Sequence, residues 1–103
     1  NIKIDKVISS EWCRCKDTAF FGFKTFVTRS FLNSFYDIKF EKNKNKQIKE
    51  LKEYINKSTK VENIIFITHY VNIHELLNVN TSSGEIIITD KNLFLLGRIK
   101  FDY

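Results

Sequence analysis

Two side chains in this sequence have the type and the placement for anion chemistry: Arg14, four residues after Ser10, and His69, directly after an apolar run. Residues 7–19 read Val-Ile-Ser-Ser-Glu-Trp-Cys-Arg-Cys-Lys-Asp-Thr-Ala, a β-branched pair, two small hydroxyl residues, a turn, and then a helix that carries Arg14. Strand, loop and helix in that order deliver a guanidinium to the rim of a sheet, where its fork can grip a phosphate or carboxylate through two hydrogen bonds. His69 follows Ile64-Ile65-Phe66-Ile67-Thr68 and so stands at the carboxyl end of one strand and the amino end of the next helix. Unpaired backbone amides and the helix dipole favour anions there, and sites of open α/β sheets lie at such strand ends. Singly, each has a plain alternative, a surface or ion-paired arginine and a satisfied core histidine. Paired across adjacent strand ends, they make half of a phosphate cage.

Other reactive residues point to less. Cys13 and Cys15 are one residue apart, too strained for an ordinary disulfide and off the spacing of redox or zinc cysteine pairs. His74 follows His69 by five residues, not the four that align two zinc ligands on a helix face. No metal and no cofactor is expected. Ser9, Ser10, Ser82 and Ser83 lack the glycine-flanked setting of a nucleophile elbow. Glu85, opening a late strand, is a candidate acid and substrate contact, or else an exposed turn glutamate. Asp17 reads as an ion-pair partner for a lysine.

The elements that must position these residues follow from periodicity. Residues 5–9 read as a short buried strand and 12–23 as a helix, with Phe20, Phe21, Phe23 and Phe26 taken as core. Residues 27–40 are hard to place; 31–36 fit either a short helix or a loop packed on the sheet. The clearest helix is 41–58, regular from about Lys46, with Ile48, Leu51 and Ile55 on its buried face. Residues 63–68, almost wholly apolar, read as a central strand covered on both faces. A helix at 71–77, a strand at 85–89 and a final antiparallel strand at 93–101 with a bulge at Gly97 complete the chain.

At 103 residues this is one domain at most, with a thin core; 43% hydrophobic content excludes wholesale disorder. A charge of +5 suits an anionic partner, but the lysines at 42, 44 and 46 read as a solvated helix entrance rather than a nucleic-acid patch, so no specific nucleic-acid partner is expected. No apolar run approaches the roughly 18 residues of a membrane span. With no methionine and an opening in mid-pattern, the chain reads as a piece of a longer protein.

The same residues carry a resemblance. The Ser-Ser strand end followed by Arg14, Thr18 and Ala19 resembles a conserved block of the histidine phosphatase superfamily, the phosphoglycerate-mutase-like proteins. The strand ending in Thr68-His69 resembles a second block, and Ser83-Gly84-Glu85 with the strand after it resembles a late strand in a bacterial branch of that family. The resemblance implies an α/β fold, a mixed and mostly parallel sheet with helices on both faces. It implies that residues 1–103 are the C-terminal portion of one such domain, without its first strand and helix. The family's first strand ends in Arg-His-Gly or Arg-His-Ala, whose histidine is the nucleophile, and in this sequence neither His69 nor His74 directly follows an arginine.

The implied activity is hydrolysis of a phosphomonoester through a phosphohistidine in the complete protein, with this chain alone inactive. Arg14 would neutralise the phosphoryl oxygens and His69 would donate a hydrogen bond to them. The implied partner is a phosphorylated small molecule or glycan. The resemblance places the first strand between 63–68 and 85–89, so the chain is expected to pair those edges with another copy, to rearrange, or to need that segment. The alternative reading is a non-catalytic anion-binding or protein-interaction domain.

Overall fold

Two β-branched residues with small hydroxyl neighbours start the architecture. In the computed structural model, which describes residues 3–58 and 61–100, β1 (Lys6–Ser9) buries Val7, Ile8 and Ser9. It leads into α1 (Cys13–Phe23), then β2 (Val27–Thr28). A 3-10 turn at Ser30–Leu32, a second at Ile38–Asn43 and helix α2 (Lys44–Lys57) carry the chain to β3 (Ile64–Ile67). Helix α3 (Tyr70–Leu77) and the strands β4 (Ile86–Thr89) and β5 (Leu95–Ile99) follow.

The α/β class holds. The strands form two sheets rather than one mixed sheet: a parallel sheet in the order β2-β1-β3 and an antiparallel β4-β5 pair. β1 is the central strand, with both edges paired. The chain leaves β1 toward β2 and then returns to its other side as β3, so the strand order reverses at β1, and loops diverging at such a point open a crevice at the carboxyl ends. Helix α1 packs on β1 and β3, and α2 packs over the 3-10 turn at Ser30–Leu32.

The core lies between the sheet and α2. Ile8, Phe31, Leu32 and Leu51 form it, with Tyr54, Ile55, Ile64, Phe66 and Leu76 packed against them. Ile48 and Leu51 fall on the buried face of α2 as their spacing of three demands. Phe31 and Leu32, in the segment the sequence leaves open, prove to be core in a loop with one 3-10 turn.

Three expectations are corrected. The strand at 64–67 is an edge strand of its sheet, half-buried along its length, because β1 pairs with only one side of it and β4 joins β5 instead. The phenylalanines of α1 are not core: Phe20, Phe21 and Phe23 are exposed and Phe26 half-buried. The stripe of α1 that faces inward is Cys15 and Ala19, small side chains four apart that let the helix lie close to β1. The bulge in the β4-β5 pair falls at Leu96, since Ile88 pairs with Gly97 and Thr89 with Leu95. Phe101, expected to end the last strand, lies outside the described residues.

These placements separate two mutations. Leu51→Ala, opening a cavity in the core, is expected to lower unfolding stability by about 2–4 kcal/mol in urea melts, whereas Phe21→Ser, on an exposed face, is expected to change it by less than about 0.5 kcal/mol. Equal losses would place Phe21 in the core after all.

Candidate functional site

The parallel register of β1 and β3 pairs Ser9 with Ile67, and the next amide, Ser10 N–H, donates to the Ile67 carbonyl at 2.8 Å. Ser10 and His69, fifty-nine residues apart in sequence, therefore meet: Ser10 Oγ lies 2.9 Å from His69 Nε2. Ser10 is fully buried and His69 is 6% exposed.

The hydroxyl of Ser10 is saturated. It accepts from the Trp12 amide at 3.1 Å and donates to Asn33 Oδ1 at 3.1 Å. Asn33 Oδ1 also accepts the Glu11 amide at 2.8 Å, and its amino group donates to Glu11 Oε1 at 2.9 Å, which fixes the orientation of its amide. With its proton given to Asn33, Ser10 has one lone pair left for His69. The network thus assigns the tautomer: His69 Nε2–H donates to Ser10, and Nδ1 carries the free lone pair. Nδ1 makes no hydrogen bond among the described residues.

Around this pair the packing is tight. The Trp12 indole meets the His69 ring edge-on at 4.8 Å and the Phe40 ring at 6.4 Å. Cys15 Sγ lies 3.6 Å from His69 Nε2, and its thiol faces the Thr68 carbonyl at 3.8 Å. Thr68 donates its hydroxyl to the Leu32 carbonyl at 2.6 Å. Below them the Asn33 carbonyl accepts from both Gln47 and Asn72, at 2.7 and 2.9 Å. Asn72 is 1% exposed and its Oδ1 is sealed from solvent without a partner among the described residues.

Burial sets the charge state of the site. It pushes the His69 pKa down to about 4, with the positive charge of Arg14 adding to the shift, so the ring is neutral near pH 7. Burial raises the Cys15 thiol above its ordinary value, against smaller opposing effects of Ser10 and Arg14. A protonated, covered thiol is no nucleophile. Arg14 is exposed and makes no side-chain hydrogen bond or ion pair among the described residues, yet its charge reaches both His69 and Cys15. Neither α1 nor α3 has a side-chain cap or an acid in its first turn, so the amide ends of both helices are free for an anion.

The structure therefore sets the charge of Arg14 within electrostatic reach of His69 and leaves Glu85 in the β4-β5 pair. There Arg98 grips the Glu85 carboxylate at 2.7 and 3.1 Å and the Ser82 amide donates to it at 2.9 Å. The Arg98 hydrogen bond holds its pKa down at about 2, which suits a structural anion and not a proton donor. Asp17 is exposed, and the ion pair expected of it does not occur among the described residues. His74 is exposed, and no cluster of three metal-ligating side chains occurs among the described residues. Ser10, Trp12, Cys15 and Asn33 join the site although none was singled out for a role there. The only signal was the position of Ser10 at the strand end and of Asn33 in a polar break between buried phenylalanines.

No protein-family model matches the chain, and no curated protein or solved structure is significantly similar to it.

The depressed His69 value makes stability depend on pH. Between its folded value near 4 and its ordinary 6.5 the unfolded chain binds more protons, so stability is full above 6.5 and is lost as the pH falls toward 4. About 2 kcal/mol should disappear between pH 7 and pH 5. Glu85, depressed from 4.5, contributes its loss only at lower pH. Chemical melts at the two pH values should show this slope in the native chain and a much flatter one in His69→Gln; equal slopes would mean that His69 charges freely in the fold.

Proposed function

We propose that this chain carries the phosphoryl-binding half of a histidine-phosphatase-like site, with Arg14 and His69 holding the oxygens of a phosphomonoester. One observation supports this most: an arginine without an ion pair among the described residues lies within electrostatic reach of a buried neutral histidine where two helices without side-chain caps follow adjacent parallel strands. An ion-paired arginine or a histidine with both nitrogens bonded would argue for a purely structural role. Neither occurs among the described residues.

In this reading a histidine nitrogen supplied by another segment of the complete protein attacks phosphorus in line, the P–O bond to the alcohol breaks as an acid protonates the leaving oxygen, and water then cleaves the phosphohistidine to release phosphate and the free imidazole. Arg14 offsets charge that develops on the phosphoryl oxygens. His69 contributes in one of two protonation states. Its Nε2–H is spent on Ser10, so it donates to an oxygen through Nδ1, either by taking up a proton or by exchanging tautomer as the Ser10 hydroxyl turns from Asn33 to Nε2. A bound dianion favours proton uptake, because it offsets the Arg14 charge that opposes it. The free edge of β3 is where a further strand could pair and bring the nucleophile beside them.

A second reading is a non-catalytic anion-binding or interaction domain. It is favoured by the supply of histidines: with His69 holding the oxygens and His74 exposed, the described residues offer no second histidine to act as nucleophile beside Arg14. Both readings expect an anion site.

Inorganic phosphate titrated by NMR should perturb His69 and the amides that open α1 and α3, and more strongly at pH 6 than at pH 8. Arg14→Ala should weaken binding by roughly ten- to a hundredfold, as for loss of a charged hydrogen bond. Unchanged affinity in both Arg14→Ala and His69→Ala would remove the site. The chain alone should not turn over p-nitrophenyl phosphate; turnover would assign attack to His69 or His74 and overturn the phosphoryl-holding role of His69.

A further inference from the structure

Phe20, Phe21 and Phe23 end α1 facing water instead of the sheet. Phe21 is 73% exposed and Phe20 50%, and their rings meet edge-on with centroids 5.5 Å apart, which makes one patch of them. Single exposed apolar side chains are ordinary, whereas a contiguous patch of rings marks an interaction surface. The turn after the helix adds an independent feature. Lys24 has φ 69° and ψ −49°, and the Thr25 amide donates back to the Phe23 carbonyl at 2.8 Å, a γ-turn that is rare and strained with any side chain at its centre. Glycine would hold it without strain. What the lysine adds is a cation on the patch, since its ammonium stands 5.2 Å from the centre of the Phe20 ring.

Charge and ring geometry choose the occupant. Lys16, one turn before Phe20, and Lys24 form no ion pair among the described residues, and Asp17 is the sole acid of α1. An anionic partner complements this in a chain of +5, whereas a second copy would set like charge against like. The Phe20 and Phe21 planes cross at 72°, so they cannot stack on successive bases of a nucleic acid. A folded protein would need a pocket cut to each projecting ring. The fluid acyl boundary of a bilayer closes around them instead, and lysine heads reach its headgroups from their apolar stems. No helix among the described residues is long and apolar enough to cross a membrane, so the contact is with a surface. We propose that the carboxyl end of α1 docks on an anionic membrane surface, with Phe20 and Phe21 entering the acyl boundary and Lys16 and Lys24 meeting the headgroup anions. Because β2 runs parallel to β1, α1 returns the chain toward the amino ends of the strands, which sets the patch about 9–14 Å along the helix from Arg14. The two surfaces are separate, so the docking does not rest on the phosphate reading.

The chain is sedimented with vesicles of phosphatidylcholine alone and of phosphatidylcholine with about one third phosphatidylserine. It should partition at least about tenfold more strongly onto the anionic vesicles, and high salt should reduce the difference. Phe21→Ser, on an exposed face, should weaken that partition about tenfold. Lys24→Gly should weaken it about fivefold yet unfold at the same or a higher urea concentration, since relief of the turn outweighs the freedom glycine adds to the unfolded chain. Asp17→Asn should strengthen it. Equal partition onto both vesicle types, or partition that Phe21→Ser leaves unchanged, would overturn the proposal. So would self-association, or binding of a single-stranded oligonucleotide, that Phe21→Ser abolishes while no vesicle carries the chain down. A Lys24→Gly chain that loses stability but not partition would make the lysine structural and overturn its part in docking.

Discussion

The parallel pairing of β1 with β3 is the constraint on which the rest of the structure depends. Four registered pairs, from Lys6 with Ile64 to Ser9 with Ile67, bring two strand ends level although the strands are separated by more than fifty residues. A salt bridge of 2.8 Å between Lys6 and Glu62 stands at the other end of the same pair. A slip of one residue would turn alternate side chains to the opposite face, taking Ser10 away from His69 and Ile8 out of the core. Because β2 then pairs on the far side of β1, the loops after β1 and β3 part from each other, and the space between them is bounded by two helix starts. The site is therefore a product of strand order before it is a product of any side chain.

The loop at 29–36 completes that space without a sheet ladder of its own. It is tied down from four other places in the chain, three of which bind its backbone. Ser10 and Glu11 bind the Asn33 side chain, Gln47 and Asn72 bind its carbonyl, and Thr68 binds the carbonyl of Leu32. Each such bond contributes about 1 kcal/mol net, but a buried carbonyl left without its donor costs about 1–3 kcal/mol. The network is consequently cooperative, since loosening Asn33 would strand groups on β1, α2 and α3 together. It explains how a segment with little regular structure can bury Phe31, Leu32 and Phe35.

What the sequence made legible was whatever follows from runs and local spacing. The β-branched pair at 7–8, the apolar run at 64–67 and the Ile48–Leu51 stripe each specify their element, and strand ends locate Arg14 and His69. Facing was less accessible. In α1 both Cys15–Ala19 and the phenylalanines offer an apolar stripe, and the sheet takes the smaller residues because they permit closer approach. Likewise an apolar run does not distinguish a central strand from an edge strand, since pairing is decided by partners distant in the chain. Asn33 was out of reach for the same reason: its contacts span 14 to 39 residues, and an asparagine between buried neighbours looks the same whether it turns a loop or ties one down.

The electrostatics of the site follow from combining these features. Burial against Trp12, Cys15 and Ser10 makes a charged imidazole costly, and the charge of Arg14 increases that cost. Among the described residues Arg14 is the charged group that acts on His69, and no carboxylate pairs with it there. An anion seated between them would change both terms at once, since it pairs with the guanidinium and supplies an acceptor for a second imidazole proton. Binding of an anion there and proton uptake by His69 would therefore be coupled, each strengthening the other by the same factor through linkage. A histidine with both nitrogens already bonded, or one open to water, would lose that coupling. Keeping Nε2 on Ser10 and Nδ1 free preserves it, which makes the saturated Ser10 hydroxyl as much a part of the electrostatic design as the arginine.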